Sequence, residues 1–451
     1  MPWPASRESS TKENVMLTKE NNERLCRVGA GTPGSELFRS LWLPAVLSAQ
    51  LPEGSRAPVR LRLLGEDLIA FRDGSNQVGI THAHCLHRGA PLFFGKVEER
   101  GIRCSYHGWL YGRDGQCLEM PSEKNSNLCQ KMHLPAYQVQ EKAGIVWIFM
   151  GAGPAPELPR FPWIDLPEKQ RLASVWVQET NWMQGAEGEI DSSHVSTLHK
   201  SDQGVTSDRV HRTYTYKDPK PELNVEETPI GFMSIARRRA DERFYWRVTQ
   251  WMAPMFSVIP SAAWPIGGRA WVPIDDENTY CWDFSYVLDG ELPQAFLEFV
   301  ERGISFPPEY RYGPVELNSG SIIDTWAPIR NRRNDYLVNR EAQKGTSTTG
   351  IHGVNDQDRA MQEGMGRIAD RTKEKLVSAD LAIVMARRKV LDFMASPEAL
   401  QKFRALVRDG TVFSMAPVDT VAETRELADF LKSLSYPAVP DTKAIQEQVP
   451  Q

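Results

Sequence analysis

The sequence predicts an α+β fold, with a small antiparallel β domain followed by a larger domain in which an antiparallel sheet is flanked by helices. Three observations predict it: β-like alternation from Pro58 to about Met150, a proline-rich stretch at Gly151–Lys169, and helical periodicity from about Asp358 onward. Apolar residues recur every second position in strands and every 3.6 positions in helices, so these patterns separate the two kinds of element.

The small β domain is predicted from two hairpin patterns and a closing strand. Asp73-Gly74 supplies a turn in the first pattern, and Arg113-Asp114-Gly115 supplies the turn of the second. A continuous apolar run then closes the block. The predicted strand segments are Val59–Leu63, Leu68–Ala70, Val78–His82, Trp109–Tyr111, Cys117–Leu118 and Ile145–Phe149.

The proline-rich stretch is interpreted as a linker, because proline can extend neither a strand ladder nor a helix. We therefore divide the chain into residues 1–40, an N-terminal segment expected to pack on the larger domain, residues 41–155, the small β domain, and residues 156–451, the larger domain. Short β-rich stretches from Arg209 to Val287 predict the second sheet. Ser378 is expected to cap a helix whose apolar face comprises Leu381, Val384, Met385 and Leu391.

Composition narrows the function classes. The 451 residues are 41% hydrophobic and 25% charged, which is ordinary for a globular protein, and the net charge of -5 argues against a nucleic-acid-binding protein. The longest apolar run, Gly144–Met150, is far too short to cross a bilayer, and the first twenty residues lack the apolar core of a secretory signal. We expect a cytoplasmic protein whose six cysteines are reduced rather than cross-linked.

One motif is discounted. The segment Gly29–Gly34 (GAGTPG) matches the spacing of a dinucleotide-binding loop, but it follows a charged stretch and contains a proline within the turn. That fingerprint requires a strand before it and a helix after it. We expect a simple glycine-rich loop and no bound nicotinamide.

Two cysteine-histidine pairs form the first candidate metal site. Cys85 and His87 are separated by one residue, and Cys104 and His107 by two. Four such donors suit tetrahedral zinc or a 2Fe-2S cluster in which histidines replace two cysteines on one iron. Because each pair supplies one donor of each kind, the spacing favours the cluster. The alternatives are structural zinc, or core cysteines with incidental histidines.

The second candidate site lies in the segment Asp191-Ser-Ser-His194-Val-Ser-Thr-Leu-His199. A non-haem ferrous ion requires two histidines and a carboxylate on one face, which leaves three positions open. Residues five apart on an ideal helix diverge by about 140°, so a π-bulge or local break is expected between His194 and His199. Alternatively, the segment is an acidic helix start that Asp191 caps, with incidental histidines.

The carboxylate ligand has to come from another segment. Asp358 is the first choice and Asp356 the second, since both lie at the start of a predicted helix. Asn355 or Asp356 is placed to cap this helix. Asp358 shares a face with Met361, Gln362 and Met365, which we expect to point inward.

The motifs Cys85-Leu-His-Arg-Gly, Cys104-Ser-Tyr-His-Gly-Trp and the downstream Met120-Pro121 resemble the Rieske cluster loops of bacterial ring-hydroxylating oxygenases. The Asp-x2-His-x4-His motif and the Asp358-Arg-x-x-Gln-Glu helix resemble the mononuclear iron site of the same family. The run Asn334–Gln343 is similar to the α-only branch that includes phthalate dioxygenase. The likeness extends from about Arg27 to Arg388.

The resemblance implies two iron centres. Cys85, His87, Cys104 and His107 would hold the 2Fe-2S cluster, and His194, His199 and Asp358 would hold Fe(II). Asp191 would be the catalytic carboxylate that fixes a metal-bound histidine and accepts a hydrogen bond from a cluster histidine, His107, across a subunit boundary. The family also implies a homotrimer or a stacked pair of trimers, a separate flavin and iron-sulfur reductase that links the enzyme indirectly to NAD(P)H, and a bacterial cytoplasmic location.

The expected function is that of a terminal oxygenase that uses O2 to hydroxylate an aromatic, carboxylated substrate. The alternatives are an oxidative O-demethylase of a methoxylated aromatic acid, and a non-catalytic electron carrier or zinc protein. An arginine would be the natural partner of a substrate carboxylate. The candidates are Arg212, Arg237, Arg238, Arg239 and Arg247, and the loop Gly345–Gly350 has the composition of a mobile lid.

Overall fold

A computed structural model describes residues 17–124, 126–200, 212–260, 264–304, 306–345 and 347–434 of the chain. Within these ranges, no helix combines the length and the hydrophobicity needed to cross a bilayer. The expected fold class is confirmed: a small antiparallel β domain precedes a larger domain with an extended antiparallel sheet and flanking helices.

Two short helices open the described chain, α1 (Lys19–Cys26) and α2 (Pro33–Phe38). Thr18 and Thr32 cap them through side-chain oxygens, as their sequence position suggests. The glycine-rich segment connects these helices and does not follow a strand, so the geometry of a dinucleotide site is missing there. Asn22 Nδ2 donates to the carbonyl oxygen of Ala369 at 3.0 Å, which brings this segment against the larger domain.

The small domain contains three antiparallel sheets. The first joins β1, β9 and β10, the second is the meander β2–β3–β4, and the third is the four-stranded meander β5–β6–β7–β8. Both predicted hairpins and the closing strand are present. The bounds are β1 (Trp42–Leu47), β2 (Val59–Leu63), β3 (Glu66–Arg72), β4 (Val78–His82), β5 (Lys96–Glu98), β6 (Gly101–Arg103), β7 (Leu110–Tyr111), β8 (Cys117–Glu119), α3 (Ser126–Lys131), β9 (Gln138–Lys142) and β10 (Ile145–Phe149).

The linker has no helix or strand between residues 151 and 167, as expected, but it packs against both domains. Phe161, Trp163 and Ile164 are buried in the main apolar core. That core is continuous from Leu61 and Trp147 of the small domain to residues of the large sheet. Burial of aromatic area at this junction therefore holds the two domains together.

The larger domain is built on an eight-stranded antiparallel sheet in the order β11-β17-β16-β15-β14-β13-β12, with β20 paired to β14, and on a separate ribbon, β18–β19. The strands are β11 (Arg171–Gln178), β12 (Glu222–Glu227), β13 (Gly231–Ala240), β14 (Arg243–Met252), β15 (Phe256–Ile259), β16 (Ile266–Pro273), β17 (Thr279–Tyr286), β18 (Tyr310–Glu316), β19 (Ile322–Pro328) and β20 (Val418–Ala422). The helices are α4 (Trp182–Ile190), α5 (Val195–Leu198), α6 (Arg212–Lys217), α7 (Gln294–Glu301), α8 (Val354–Gly364), α9 (Leu381–Phe393), α10 (Pro397–Leu406) and α11 (Leu427–Ser433).

Helix α4 is the element that carries the second motif to the sheet. It packs on β16 and contacts α8. Its Glu187 accepts hydrogen bonds from Arg371 and from Arg387 of α9, at 2.7–3.0 Å. Burial alone would raise the pKa of Glu187, but the two guanidinium charges outweigh it and lower the pKa. This buried ion cluster fixes the helix that leads into the candidate site.

The prediction for α9 was wrong in detail. Ser378 begins a short 3-10 turn, and the α-helix starts at Leu381 after Asp380. Leu381 is 37% exposed, whereas the buried residues of the helix are Ala382, Ala386, Arg387 and Val390. The pattern was misread because the long arginine side chain at position 387 turns inward to reach Glu187.

Candidate metal centres

Two loops of the small domain close in the same way around their cysteines. The N–H of Cys85 and of Cys104 donates to the carbonyl oxygen five residues later, at 2.8–2.9 Å. Gly89 and Gly108 then donate back to those cysteine carbonyls at 2.9–3.0 Å, with φ angles of 69° and 75°. Glycine is needed at both positions for this left-handed turn.

The four donors of these loops divide into two kinds of environment. Cys85 and Cys104 are buried at 4% and 2% exposure in one apolar cluster, and burial raises the pKa of the Cys85 thiol. The rings of His87 and His107 lie at the rim, 4.5 Å apart between centroids, and His87 stacks on Trp109. Two sulfurs inside and two imidazoles outside fit an iron pair with one sulfur-bound and one nitrogen-bound iron.

A tyrosine that the sequence analysis did not identify contacts one of these sulfurs. Tyr111 Oη lies 3.1 Å from Cys85 Sγ and accepts the N–H of Leu86 at 3.2 Å. Because the amide already supplies a proton to the oxygen, the hydroxyl proton can point at the sulfur. Burial raises the pKa of Tyr111, so the hydroxyl keeps that proton. In the sequence, nothing marked Tyr111 for this contact except its place on a predicted strand.

The structure brings His194, His199 and Asp358 together. Asp358 Oδ1 lies 3.6 Å from His194 Nε2 and 3.2 Å from His199 Nε2. One potential ligand atom from each residue falls within 4.8 Å of the others. This two-histidine, one-carboxylate set is the donor set of non-haem ferrous sites.

Both histidines are oriented through Nδ1. Gln357 Nε2 donates to the carbonyl oxygen of Ile351 at 2.9 Å, so its Oε1 faces His199 Nδ1 at 2.8 Å and accepts the hydrogen bond of that ring nitrogen. This hydrogen bond fixes the ring so that Nε2 points towards Asp358. Asp191 Oδ2 lies 3.3 Å from His194 Nδ1 and orients that ring in the same sense. Such second partners fix the tautomer and direction of metal-binding imidazoles.

Charges within this group stabilise one another. Burial would raise the pKa of Asp358, but His199 and His194 outweigh it and lower the pKa. Burial also opposes the charge on His194, yet the hydrogen bond that His194 donates to Asp191 and the charge of Asp358 raise its pKa. The pKa of Asp191 is lowered because the hydrogen bond and charge of His194 exceed the effect of burial. The carboxylates are thus held ionised.

One expectation about local geometry was wrong. Helix α4 ends at Ile190, and His194 and His199 flank the single turn of α5, so the break precedes His194 and no π-bulge lies between the histidines. Asp191 follows α4 on extended backbone and contacts His194 from there. Both histidine side chains nevertheless lie next to Asp358, because one precedes and the other follows the single turn of α5.

The reasoning that selected Asp358 was also partly wrong. Met361 and Met365 are about half exposed, and the buried side of α8 is mainly polar. The helix is preceded by Gly353 at φ 90° and has no side-chain cap. The alternative ligand, Asp356, forms ion pairs with Arg359 at 2.9 Å and with Arg330 at 3.5 Å. Those arginines occupy its oxygens, and it is not part of the His-His-Asp group.

A pocket opens beside this group. Its lining includes all three residues and Asp191, together with an aromatic wall. The aromatic lining residues are Tyr245, Trp264, Trp271, Phe296, Phe299 and Phe306. A buried polar set adjoins these rings: Arg269 lies over the Phe306 ring, pairs with Asp283 and approaches Glu189 at 3.8 Å. Burial raises the pKa of Glu189 to about 7 although Arg269 opposes it.

The candidate arginines differ in position. Arg237 pairs with Glu222, Arg238 donates to Ser192, and Arg239 is exposed. The side chain of Arg212 lies outside the described residues. Arg247 lines the pocket.

The predicted lid loop makes a contact with the candidate site. Thr348 Oγ1 donates to the carbonyl oxygen of Thr197, inside the turn between the two histidines, at 2.8 Å. Thr346 of the same loop lies outside the described residues. Lid motion stays a prediction.

A β domain with two cysteine-histidine loops, followed by a domain with a His-His-Asp group, is the arrangement of an oxygenase with two metal centres. Residues 41–138 match the family described as the Rieske [2Fe-2S] domain, and residues 148–405 match the family described as LigXa C-terminal domain like. The chain belongs to the Rieske oxygenases, as an oxygenase alpha subunit. It is therefore an oxidoreductase whose small domain is of the 2Fe-2S type.

Three relatives span most of the chain. The 3-chlorobenzoate-3,4-dioxygenase oxygenase subunit of Comamonas testosteroni is 38% identical over 85% of this chain and 90% of its own length. The phthalate 4,5-dioxygenase oxygenase subunit of Pseudomonas putida is 37% identical, over 85% and 88%. The 5,5'-dehydrodivanillate O-demethylase oxygenase subunit of Sphingobium sp. (strain NBRC 103272 / SYK-6) is 30% identical, over 90% and 87%. These proteins agree with the predicted branch.

A solved structure shares the fold. Pseudomonas putida CBB5 NdmA with caffeine superposes with a TM-score of 0.60 over 88% of this chain and 100% of that chain. The two sequences are 16% identical, so the likeness concerns the fold alone.

Proposed function

We propose that this chain is the terminal oxygenase of a multicomponent system that uses O2 to hydroxylate a carboxylated aromatic compound, by cis-dihydroxylation or monooxygenation. The observation that carries the proposal is the convergence of His194, His199 and Asp358 beside a pocket with an aromatic wall. A protein that only carried electrons would need neither the second donor group nor the pocket.

Under this proposal Cys85, His87, Cys104 and His107 hold the cluster, and the His-His-Asp group holds Fe(II). A ferrous ion held by these three residues would have open coordination positions and would supply the activation of O2 beside the substrate. Gln357 and Asp191 hold the imidazoles in place. The aromatic wall stacks on a planar substrate and excludes water from the pocket.

Arg247 is the best-supported partner for a substrate carboxylate. Arg247 lines the pocket together with its cross-strand partner Asp419, and its Nη1 lies 3.5 Å from Thr249 Oγ1. Arg269 also lines the pocket, but Asp283 neutralises it. A carboxylate bound by a guanidinium forms two charge-assisted hydrogen bonds. The names of the chlorobenzoate and phthalate relatives are consistent with this substrate class.

Electrons would come from a separate flavin and iron-sulfur reductase that draws on NAD(P)H. Leu86 and Tyr106 directly precede His87 and His107, and at 41% and 59% exposure they form an apolar surface on which the reductase docks. We further propose a homotrimer, or two stacked trimers, in which Asp191 accepts a hydrogen bond from His107 of the neighbouring subunit. About a fifth of the Asp191 side chain is exposed, which leaves room for that contact.

The second candidate is oxidative O-demethylation of a methoxylated aromatic acid, which the name of the third relative favours. The same centres would serve both reactions, because hydroxylation of a methoxy carbon yields formaldehyde and a phenol. Product analysis separates the two: a hydroxylated ring retains every carbon, whereas demethylation loses one.

A single-turnover experiment tests the proposal without the reductase. The cluster is reduced chemically and mixed with O2 and members of a panel of aromatic acids, and cluster reoxidation and product mass are followed. We expect one or more acids to accelerate reoxidation and to yield oxygenated or demethylated product. If every acid on the panel leaves the reoxidation rate unchanged and no product forms, the proposed function is wrong.

The role of Asp191 is tested in the same assay. Asp191→Asn should keep both metals and slow substrate-dependent reoxidation by more than about tenfold, because the carboxylate joins the two centres. Asp289→Asn, which removes an exposed charge far along the sequence, is the matched control and should behave as wild type. Wild-type rates in Asp191→Asn would refute the bridging role.

A further inference from the structure

Two cysteines outside the proposed cluster ligands lie against each other in the small domain. Cys117 Sγ and Cys129 Sγ are 2.8 Å apart, and both belong to the apolar cluster that also contains Cys85, Cys104 and Tyr111. We propose that Cys117 and Cys129 form a reversible disulfide when the protein meets hydrogen peroxide. The pair is thus an oxidation site beside the iron-sulfur centre.

The backbone holds the two sulfurs together without a covalent bond. Cys117 lies at the start of β8, and its N–H donates to the carbonyl oxygen of Met132 at 3.0 Å. Met132 in turn donates to the carbonyl oxygen of Cys129, at the end of the short helix α3, at 3.1 Å. Gln116 Nε2 lies within 3.3 Å of the carbonyl oxygens of both Cys129 and Met132. These contacts hold the sulfurs 2.8 Å apart, and formation of the bond shortens that distance to about 2.05 Å.

The two thiols have different access to solvent. Cys129 is partly exposed, whereas Cys117 is buried at 4% exposure. Burial raises the pKa of Cys117 to about 12, so its thiol is a poor first nucleophile. Peroxide therefore reaches Cys129 first, and Cys117 serves as the resolving thiol.

The chemistry balances as a two-electron oxidation. The sulfur of Cys129 attacks one oxygen of hydrogen peroxide, the O–O bond breaks, and a sulfenic acid and one water are formed. The sulfur of Cys117 then attacks the sulfenic sulfur, the S–O bond breaks, and the hydroxyl leaves as a second water with the proton of Cys117. Two thiols are oxidised and one peroxide is reduced to two waters. A dithiol reductant reverses the bond by exchange.

A disulfide between Cys117 and Cys129 would lie close to the loop that contains Cys85. Cys117 is the cross-strand partner of Tyr111, whose hydroxyl contacts Cys85. A disulfide would tie α3 to the strand next to that contact. An oxygenase that releases peroxide when O2 reduction is uncoupled from substrate would expose this site to its oxidant.

Peptide mapping of the holoprotein tests the inference. The protein is treated with hydrogen peroxide while cluster absorbance is monitored, remaining thiols are alkylated, and the digest is examined by mass spectrometry. We expect a cross-linked peptide pair that is lighter by two hydrogens and is separated by dithiothreitol. Cys26 and Cys281, which are buried single thiols, should remain alkylatable after unfolding and serve as internal controls.

Substitution distinguishes a dithiol from two independent thiols. In Cys117→Ser, Cys129 should gain two or three oxygen atoms, because no partner resolves its sulfenic acid. In Cys129→Ser, Cys117 should stay reduced at the same peroxide concentration. Peroxide-treated wild-type protein in which both thiols stay alkylatable would overturn the inference, and so would a bond from either residue to Cys85 or Cys104. These outcomes concern thiols alone and leave the proposed oxygenase function unaffected.

Discussion

Replacement of Tyr111 by phenylalanine should lower the reduction potential of the cluster. The change removes the hydroxyl that lies 3.1 Å from Cys85 Sγ and leaves the ring in place. A hydrogen bond to a sulfur ligand stabilises the reduced cluster more than the oxidised one, because reduction adds negative charge. Loss of the donor therefore makes reduction less favourable.

The magnitude follows from the strength of one such bond. Hydrogen bonds to charged groups contribute about 1.5–3 kcal/mol, and only the difference between the two oxidation states affects the potential. For a one-electron couple, 59 mV corresponds to a tenfold change in the equilibrium constant, and thus to about 1.4 kcal/mol. A difference of about 1–2 kcal/mol predicts a decrease on the order of 40–80 mV.

The assay is a redox titration of the intact protein, followed by the visible or electron paramagnetic resonance signal of the cluster. Tyr137→Phe is the matched control, because it deletes a partly buried tyrosine hydroxyl of the same domain that bonds Glu66 instead of a cysteine. The control should keep the wild-type potential. An unchanged potential in Tyr111→Phe, with the cluster retained, would refute the assigned hydrogen bond.

Three further predictions concern the larger domain. The pKa of Glu189 is raised from 4.5 to about 7, so the folded protein binds this proton more tightly than the unfolded chain does. The stability of the wild-type protein should therefore fall relative to Glu189→Gln as pH rises from about 4.5 to about 7, by about 3 kcal/mol in total. The melting temperatures of the two proteins at pH 5 and pH 8 measure this, and a difference that does not change with pH would contradict it. A Cβ on Gly185 would lie 2.0 Å from the Trp271 ring, so Gly185→Ala should destabilise the protein by about 1–3 kcal/mol in thermal unfolding, whereas Gly364→Ala, with open space around it, should not. Arg247→Met should raise the KM for a carboxylated substrate by roughly tenfold or more and leave an uncharged analogue unaffected; equal effects on both would remove the carboxylate assignment.

The sequence spacing predicted which residues lie close together, because spacing is a local property; the structure places His87 beside His107 and brings His194, His199 and Asp358 into one group. Cys85 and His87, or His194 and His199, must be close in space whenever a loop or a single turn connects them. The same holds for the hairpins of the small domain, whose turns are encoded by short glycine-containing segments. The location of Asp358 needed the resemblance, since the helix-face argument for it relied on methionines that prove to be exposed.

Residues that act across the fold were not predictable from periodicity. Gln357 precedes Asp358 and appears in the sequence as an ordinary helix-start residue, yet its amide is fixed by Ile351 and orients His199. Tyr111 reaches Cys85 across 26 positions. Arg387 lies outside the predicted apolar face of its helix, yet it turns inward to Glu187. Each of these contacts depends on tertiary packing, which no local pattern records.

Iron analysis of an Asp358→Ala variant tests the central claim most directly. The wild-type protein should contain about three irons per chain, two in the cluster and one in the His-His-Asp group. Asp358→Ala should lose one iron with the visible spectrum of the cluster unchanged, whereas Asp356→Asn should keep all three. Retention of the full iron content by Asp358→Ala, or zinc in place of iron in the wild-type protein, would contradict the account.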